Sequence, residues 1–406
     1  MALDEYRGRM QRLILLISRS DYFWSHRQAV ARAARRAGFE VHVATRLTGK
    51  ASEFSRIGVT VHPLPISRGG PNLRIQSQTL TELIRIYRRV RPDVVHHVST
   101  QLVLLGSVAA RYTRVPSVVN AFTGLGMLAT RSNSRTSVTQ RLIWNALRLI
   151  RCQNHTSIFQ NADDLCDSIT RNITNHNQTV LIPGSGVDIR RYTNTEFEEE
   201  DIVALPARLI WPKGIREFVE AATIVKQTIP SARMVLVGDP DPGNPQSCSK
   251  NWIRDRQAQG LIEWWGHCPD MRQVYRQAQI VALPTWYGEG VPKVLLEAAA
   301  CGRPLVATDT RGCRDIVRHG ETGYCVPPRD PRQLADAILS LLADRRKREQ
   351  MGHAGRQFVV AQFRDTDVAR KTVAVYQQSL ADHACPQKPE DASSKPPIPI
   401  AQEVFA

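Results

Sequence analysis

The chain has 406 residues, 42% of them hydrophobic, with 54 Lys+Arg against 38 Asp+Glu and a formal charge of +16. That length suits two domains of roughly 100–200 residues, and the composition excludes wholesale disorder and a collagen-like chain. No run reaches the roughly 18 apolar residues of a membrane-spanning helix, and Met1–Gln11 lacks the apolar core of a secretory signal, which points to the cytoplasm.

In chain order, apolar β-rich runs alternate with stretches of helical period. Leu13–Ile17 and Val41–Ala44 read as buried strands, with a helix over His26–Ala37 between them. Leu80–Val90 reads as a helix, and Val94–His96, Ser117–Asn120, Ser157–Phe159 and Val180–Ile182 as further strands. This half carries nearly all the excess charge. Residues 1–190 hold 26 Lys+Arg against 11 Asp+Glu, and Lys50 is the single lysine among them. Arginine's planar fork suits phosphate. The partners to weigh are therefore nucleic acid, a phosphorylated small molecule and an anionic membrane surface. No zinc-finger, basic-zipper or RNA-platform pattern accompanies the charge, which argues against nucleic acid. A solvated basic face is the plain alternative. Arg135–Arg151 places Leu142, Ile143, Trp144, Leu147, Leu149 and Ile150 among four arginines. Such a helix suits an anionic bilayer. A core-facing helix of an α/β domain would need the same apolar face.

Turn residues and an acidic run at 184–200 mark a domain boundary, set at 190/191. Beyond it Ile202–Leu205, Arg233–Val237, Ile262–Trp264, Ile280–Leu283 and Pro304–Ala307 read as strands. Ile215–Thr228, Met271–Gln277, Pro292–Ala300 and Pro331–Leu342 read as helices. The alternation predicts an α/β architecture of two doubly wound, Rossmann-like parallel sheets, residues 1–190 and 191–360, whose strand carboxyl ends face a cleft. Residues 382–406 are Pro-rich and polar and read as a disordered tail.

Two stretches carry chemistry. After strand 202–205, the run Ala207–Gly214 sets Arg208 and Lys213 at a strand carboxyl end, a fork and a point charge suited to a diphosphate. Two solvated loop cations are the alternative. After strand 280–283, a loop with Gly288, Glu289 and Gly290 leads into a helix that starts at Pro292 and closes at Cys301-Gly302. Small residues there let a ligand approach the N–H groups of the helix start, where the dipole favours phosphate. Glu289 precedes the helix and Glu297 lies about two turns in, roughly 10–12 Å along it. The two carboxylates can contact different parts of one extended ligand.

Other signals read as structural. The eight cysteines never form C-x-x-C and read as scattered thiols. Asp239-Pro240-Asp241 has the form of a metal-holding pair but sits in a Pro/Gly-rich turn, so no metal site is expected. His319 and Glu321 read as turn residues, and Trp252, Trp264 and Trp265 as core or rim.

R-x4-K-G after a strand, then G-E-G-x-P-x4-E-A-x-A-x-G-x-P-x-V-A-T-D, then G-x-x-D-I-V-x-H-G-x-T-G-Y-x-V-P-P, together resemble the retaining GT-B glycosyltransferases of family 4. The resemblance runs from Leu13 to about Ser379 and is densest between Ala207 and Pro328. Met351–Leu380 resembles the family's last helices, which return to the first domain, here as a helix over 361–381. The resemblance implies a nucleotide-diphospho-sugar in the second domain, with no cofactor and no metal. Arg208 and Lys213 would neutralise the diphosphate. Backbone N–H groups around Gly290 and Val291 would cradle it. Glu297 would accept hydrogen bonds from the ribose, and Glu289 would lie beside the transferred sugar. Retention through an oxocarbenium-like transition state, stabilised electrostatically, is implied with it.

Phe23–Arg27, Arg91–Asp93, Ala109–Arg111 and Thr123–Gly126 resemble the members that extend sugars on undecaprenyl diphosphate, of the type adding N-acetylgalactosamine to undecaprenyl-diphospho-bacillosamine. The Gly-Gly loop of many relatives is replaced by Ser18-Arg19-Ser20-Asp21, and Thr100 stands where many have a histidine, with His96 and His97 as candidate substitutes. The expectation is a transferase on the inner face of the cytoplasmic membrane, moving a HexNAc or hexose from a UDP-sugar to a polyprenyl-diphosphate-linked saccharide. The alternatives are a nucleotide-sugar 2-epimerase of the same shape and a non-catalytic basic membrane module.

Overall fold

The computed structural model describes residues 9–66, 72–126, 134–150, 155–196, 198 and 200–384. The chain forms two compact units, one of Met1–Ser185 with Thr366–Ala406 and one of Gly186–Asp365.

The first unit holds strands β1 Arg12–Arg19, β2 Glu40–Arg46, β3 Thr60–Pro63, β4 Val94–Val98, β5 Ser117–Phe122, β6 His155–Phe159 and β7 Thr179–Leu181. They form one parallel sheet in the order β3-β2-β1-β4-β5-β6-β7. The central strands β4 and β5 are buried along their whole length, which is why they show no apolar/polar alternation. The connections carry α1 Ser20–Tyr22, a π turn over Phe23–Arg27, α2 Gln28–Arg36, α3 Ser52–Arg56, α4 Leu73–Val90, α5 Thr100–Thr113, α6 Ser134–Leu149 and α7 Ala162–Thr170.

The second unit holds β8 Ile202–Pro206, β9 Arg233–Val237, β10 Glu263–Gly266, β11 Ile280–Leu283, β12 Leu305–Thr308 and β13 Gly323–Val326, parallel in the order β10-β9-β8-β11-β12-β13. Its helices are α8 Ile215–Thr228, α9 Lys250–Ala258, α10 Met271–Gln277, α11 Lys293–Ala300, α12 Pro331–Leu342 and α13 Arg345–Gln362. Two doubly wound parallel sheets are what the strand–helix alternation predicts.

The last helix, α14 Asp365–Ala384, packs on the first sheet. Val368, Ala369, Val373, Tyr376 and Leu380 share a core with Leu13, Leu15 and Val94. Ser379 Oγ lies 2.6 Å from Ser117 Oγ. The helix runs through Ala384, three residues into the stretch read as tail, and 385–406 lie outside the described residues.

The chain passes between the units along one seam. Val187 N donates to Phe363 O at 2.8 Å and Asp365 N to Val187 O at 3.1 Å. Gly186 has φ +70, and a Cβ there would stand 2.5 Å from Asp365 Cα. This pairing groups 186–190 and 361–365 with the second unit, so its two ends fall five residues outside the 191–360 span read from the sequence. Among the described residues no helix is long and apolar enough to cross a membrane.

Candidate active site

In the second sheet the strand order reverses between β8 and β11. Ligands of doubly wound sheets bind at the carboxyl ends of such a strand pair. The two chemistry-bearing stretches are the segments that follow these two strands.

After β8 the chain forms a short 3-10 turn, Trp211–Lys213, capped by Gly214. Gly214 has φ +77, and a Cβ there would lie 2.0 Å from Pro284 O. The turn is thereby pressed against the loop after β11. Thr285 Oγ1 donates to Pro212 O at 3.0 Å, and Trp286 N donates to the same carbonyl at 3.1 Å. Trp286 Nε1 donates to Trp211 O at 3.1 Å. These contacts bring Lys213 and Glu289, 76 residues apart, into a direct ion pair. Their side chains are 13% and 15% exposed. The ring of Tyr287 lies 5.6 Å from Lys213 Nζ. Burial pulls the ammonium's pKa down, but Glu289 and Tyr287 outweigh it and the net shift is upward, so Lys213 carries its charge.

Glu289 N donates to Arg311 O at 3.2 Å, which holds the loop on the segment after β12. Gly290 and Val291 are buried at the start of α11. Pro292 caps the helix rather than beginning it, and its carbonyl accepts from Leu295 N and Leu296 N. Helix starts leave backbone donors without intrahelical partners.

Glu297 is 6% exposed on α11. Its Oε2 accepts from Tyr275 Oη at 3.0 Å. Burial raises its pKa, with Lys293 and hydrogen bonds from Tyr192 and Tyr275 opposing. Tyr275, on α10, lies 22 residues away and had no signal in the sequence. Lys293 Nζ reaches Gly186 O at 2.9 Å and ties the helix start to the seam.

Arg208 stands apart from this pair. Its Nη1 lies 3.1 Å from Asp241 Oδ2, and its side chain is 60% exposed. The Asp-x-Asp stretch is thus a turn whose second carboxylate holds Arg208. Among the described residues no group of three or more His, Cys, Asp or Glu is arranged to hold a metal.

In the first unit His96 and His97 belong to the strand itself rather than to the loop beyond it. Both lie inside β4, 1% and 0% exposed. His97 packs between Tyr87 Oη at 3.1 Å and Asn120 Oδ1 at 2.9 Å, and His96 Nδ1 meets Tyr376 Oη. Burial lowers the pKa of both, that of His97 to about 4. The Thr123–Gly126 stretch is held by Asp164, whose Oδ2 accepts from Leu125 N at 3.0 Å.

Two parallel Rossmann-like units, with a buried Lys213–Glu289 pair at the second sheet's reversal point, fit a glycosyltransferase of GT-B architecture. Residues 188–358 match the glycosyl transferases group 1 family, and residues 13–159 match the glycosyl transferase 4-like family. The chain is a glycosyltransferase with these two domains. It is 23% identical over 369 residues to the N,N'-diacetylbacillosaminyl-diphospho-undecaprenol alpha-1,3-N-acetylgalactosaminyltransferase of Campylobacter jejuni, covering 87% of this chain and 95% of that enzyme. It is also 23% identical over 322 residues to the UDP-Gal:alpha-D-GlcNAc-diphosphoundecaprenol alpha-1,3-galactosyltransferase of Escherichia coli, covering 76% and 81%. The fold is shared with Anabaena HepE, solved with UDP and glucose, at a TM-score of 0.72 and 17% identity over 91% of this chain and all of that one.

Proposed function

We propose that this enzyme transfers a HexNAc or hexose, with retention, from a UDP-sugar to a saccharide on a polyprenyl diphosphate at an anionic membrane surface. The observation that carries the reading is the buried Lys213–Glu289 pair at the sheet's reversal point. A diphosphate beside it meets a fixed ammonium, the N–H groups of the α11 start, and Arg208 one loop away. Those charges stabilise the departing UDP, and no metal is needed for that neutralisation. Glu289 faces the carbon that becomes cationic in the transition state. Glu297 accepts the ribose hydroxyls. The lipid-linked acceptor is supported by the names of the two curated relatives, each of which acts on a diphospho-undecaprenol substrate.

The membrane surface is supported by α6. Trp144 and Leu147 face the core, while Val138, Leu142 and Leu149 are 56%, 64% and 81% exposed. Offsets of four and eleven residues bring those three onto one stripe at 3.6 residues per turn. Arg141 and Arg148 are exposed beside it. This is the pattern of a helix lying in a bilayer interface, on the half of the chain that carries the arginine excess. It supports the reading of an enzyme working on the cytoplasmic face of the membrane.

Calorimetric titration with UDP, with and without EDTA, tests the donor side. Saturable binding that EDTA leaves unchanged is expected. Loss of binding with EDTA overturns the metal-free reading, and absence of binding overturns the donor assignment.

A further inference from the structure

Arg27 closes the π turn after β1 and is 3% exposed. Its Nε has no hydrogen-bond partner, and no carboxylate among the described residues pairs with it. An arginine keeps its charge in proteins, and a buried charge without a partner is costly. Four acids of this unit pair with other arginines: Asp21 with Arg19, Glu40 with Arg12, Glu82 with Arg85 and Asp93 with Arg9.

The neighbours of Arg27 are also incompletely satisfied. Its charge lowers the pKa of His96 further, after burial, and acts on Tyr376 as well. His96 spends Nδ1 on Tyr376 Oη, while its Nε2 is buried without a partner. Two unmatched nitrogens, Arg27 Nε and His96 Nε2, thus belong to one group built by three elements: the helix after β1, the strand β4, and α14. The strand order of the first sheet reverses between β1 and β4. This is the same topological position that holds Lys213 and Glu289 in the second sheet, and it is where such sheets take ligands.

We propose that Arg27, with His96 beside it, is an anion site of the first unit that takes a phosphate group. The guanidinium fork suits a phosphate oxyanion, and the 3% of the residue that still meets solvent leaves an approach. The bearer of the phosphate is either the diphosphate of a prenyl-linked acceptor or free inorganic phosphate or pyrophosphate. Only the first of these bearers rests on the transferase reading above.

The test uses the full chain saturated with UDP, titrated with inorganic pyrophosphate and with farnesyl diphosphate, alongside thermal melting. The wild type is expected to bind and to melt higher with the ligand. Arg27→Met removes the unpaired charge, so it is expected to melt no lower than the wild type while binding either ligand at least tenfold more weakly. Lys213→Ala is expected to lose UDP affinity and keep the Arg27-dependent binding. Tighter binding of farnesyl diphosphate than of pyrophosphate assigns the site to the lipid acceptor; equal binding assigns it to the free anion. Arg27→Met binding both ligands as the wild type does, or a wild type that binds neither, overturns the proposal. If Arg27→Met does not fold, Arg27→Lys keeps the charge without the fork and is held to the same tenfold weakening. A wild type that fails to bind UDP sinks the donor reading alone, and the Arg27 comparison is then run without UDP.

Discussion

At the scale of single residues, Lys213 and Glu297 make different demands. Lys213 is already paired with Glu289, so under the proposed donor assignment a diphosphate joins an existing charge arrangement and little reorganisation is left for the chemical step. Lys213→Ala is expected to lower kcat by about 10²–10³-fold. It should cost only about 1–3 kcal/mol of stability, because Glu289 keeps some solvent contact. Transfer assays and urea unfolding on the same preparation separate the two effects. Glu297 is a carboxyl whose pKa burial raises. The folded state therefore favours its protonated form, and its contribution to stability is lost as pH rises from the ordinary carboxyl range through the raised value. UDP binding follows the opposite sign, since the carboxylate is the better acceptor for ribose hydroxyls. The Kd for UDP is expected to fall as pH rises through that value, and Glu297→Gln should flatten the profile; an unchanged profile in the variant would remove Glu297 from the site. Lys213, Glu289 and Glu297 stand out as candidates in the sequence because they sit in dense local motifs. Tyr275 and Tyr192, which orient Glu297, and Asp241, which restrains Arg208, do not, because only the fold brings them close. Arg27 lies within the Phe23–Arg27 motif, but nothing in its neighbours along the chain indicates that its charge goes unmatched.

At the scale of elements, β1 was readable from its apolar run, and β4 and β5 from paired valines without alternation. The edge strands β3 and β13 were missed: each has four residues and is only partly buried, and edges need fewer apolar positions. The helix α9 is short and mostly polar, so its period did not show. The loops after β8 and β11 act as one element because Gly214 lets them touch. Gly214→Ala forces both a left-handed φ and a collision with Pro284 O. A loss of about 2 kcal/mol or more is expected, together with weaker UDP binding, read by denaturant titration and calorimetry. For α6 the sequence left core and membrane roles in competition, and the burial pattern gives a buried face and an exposed apolar stripe. Burying one leucine contributes about 1.5–3 kcal/mol. The double variant Leu142→Asp/Leu149→Asp should therefore reduce binding to anionic vesicles by about 10²-fold or more, with no fall in melting temperature. Equal flotation of the variant and the wild type would exclude this helix as the anchor.

At the scale of the whole molecule, charge is segregated by sequence: 26 Lys+Arg against 11 Asp+Glu before residue 191, and 28 against 27 after it. Vesicle binding should weaken as salt rises from about 0.1 M towards 1 M, where the Debye length shrinks from about 10 to 3 Å, while UDP affinity changes far less. Equal salt sensitivity of both would mean that the arginine excess serves the donor rather than the membrane. The seam has a consequence for how the molecule can be taken apart. The second unit begins at Gly186 and ends at Asp365, and these two residues are in van der Waals contact. The unit is thus a detachable cassette: both of its ends emerge side by side from one spot on its surface, as in a cartridge with two adjacent leads. Cutting it out leaves a piece with no long gap to close, and a replacement needs only two neighbouring ends of its own. Exchange of this unit between enzymes that keep their own first unit is a recombination this chain path permits with two splices.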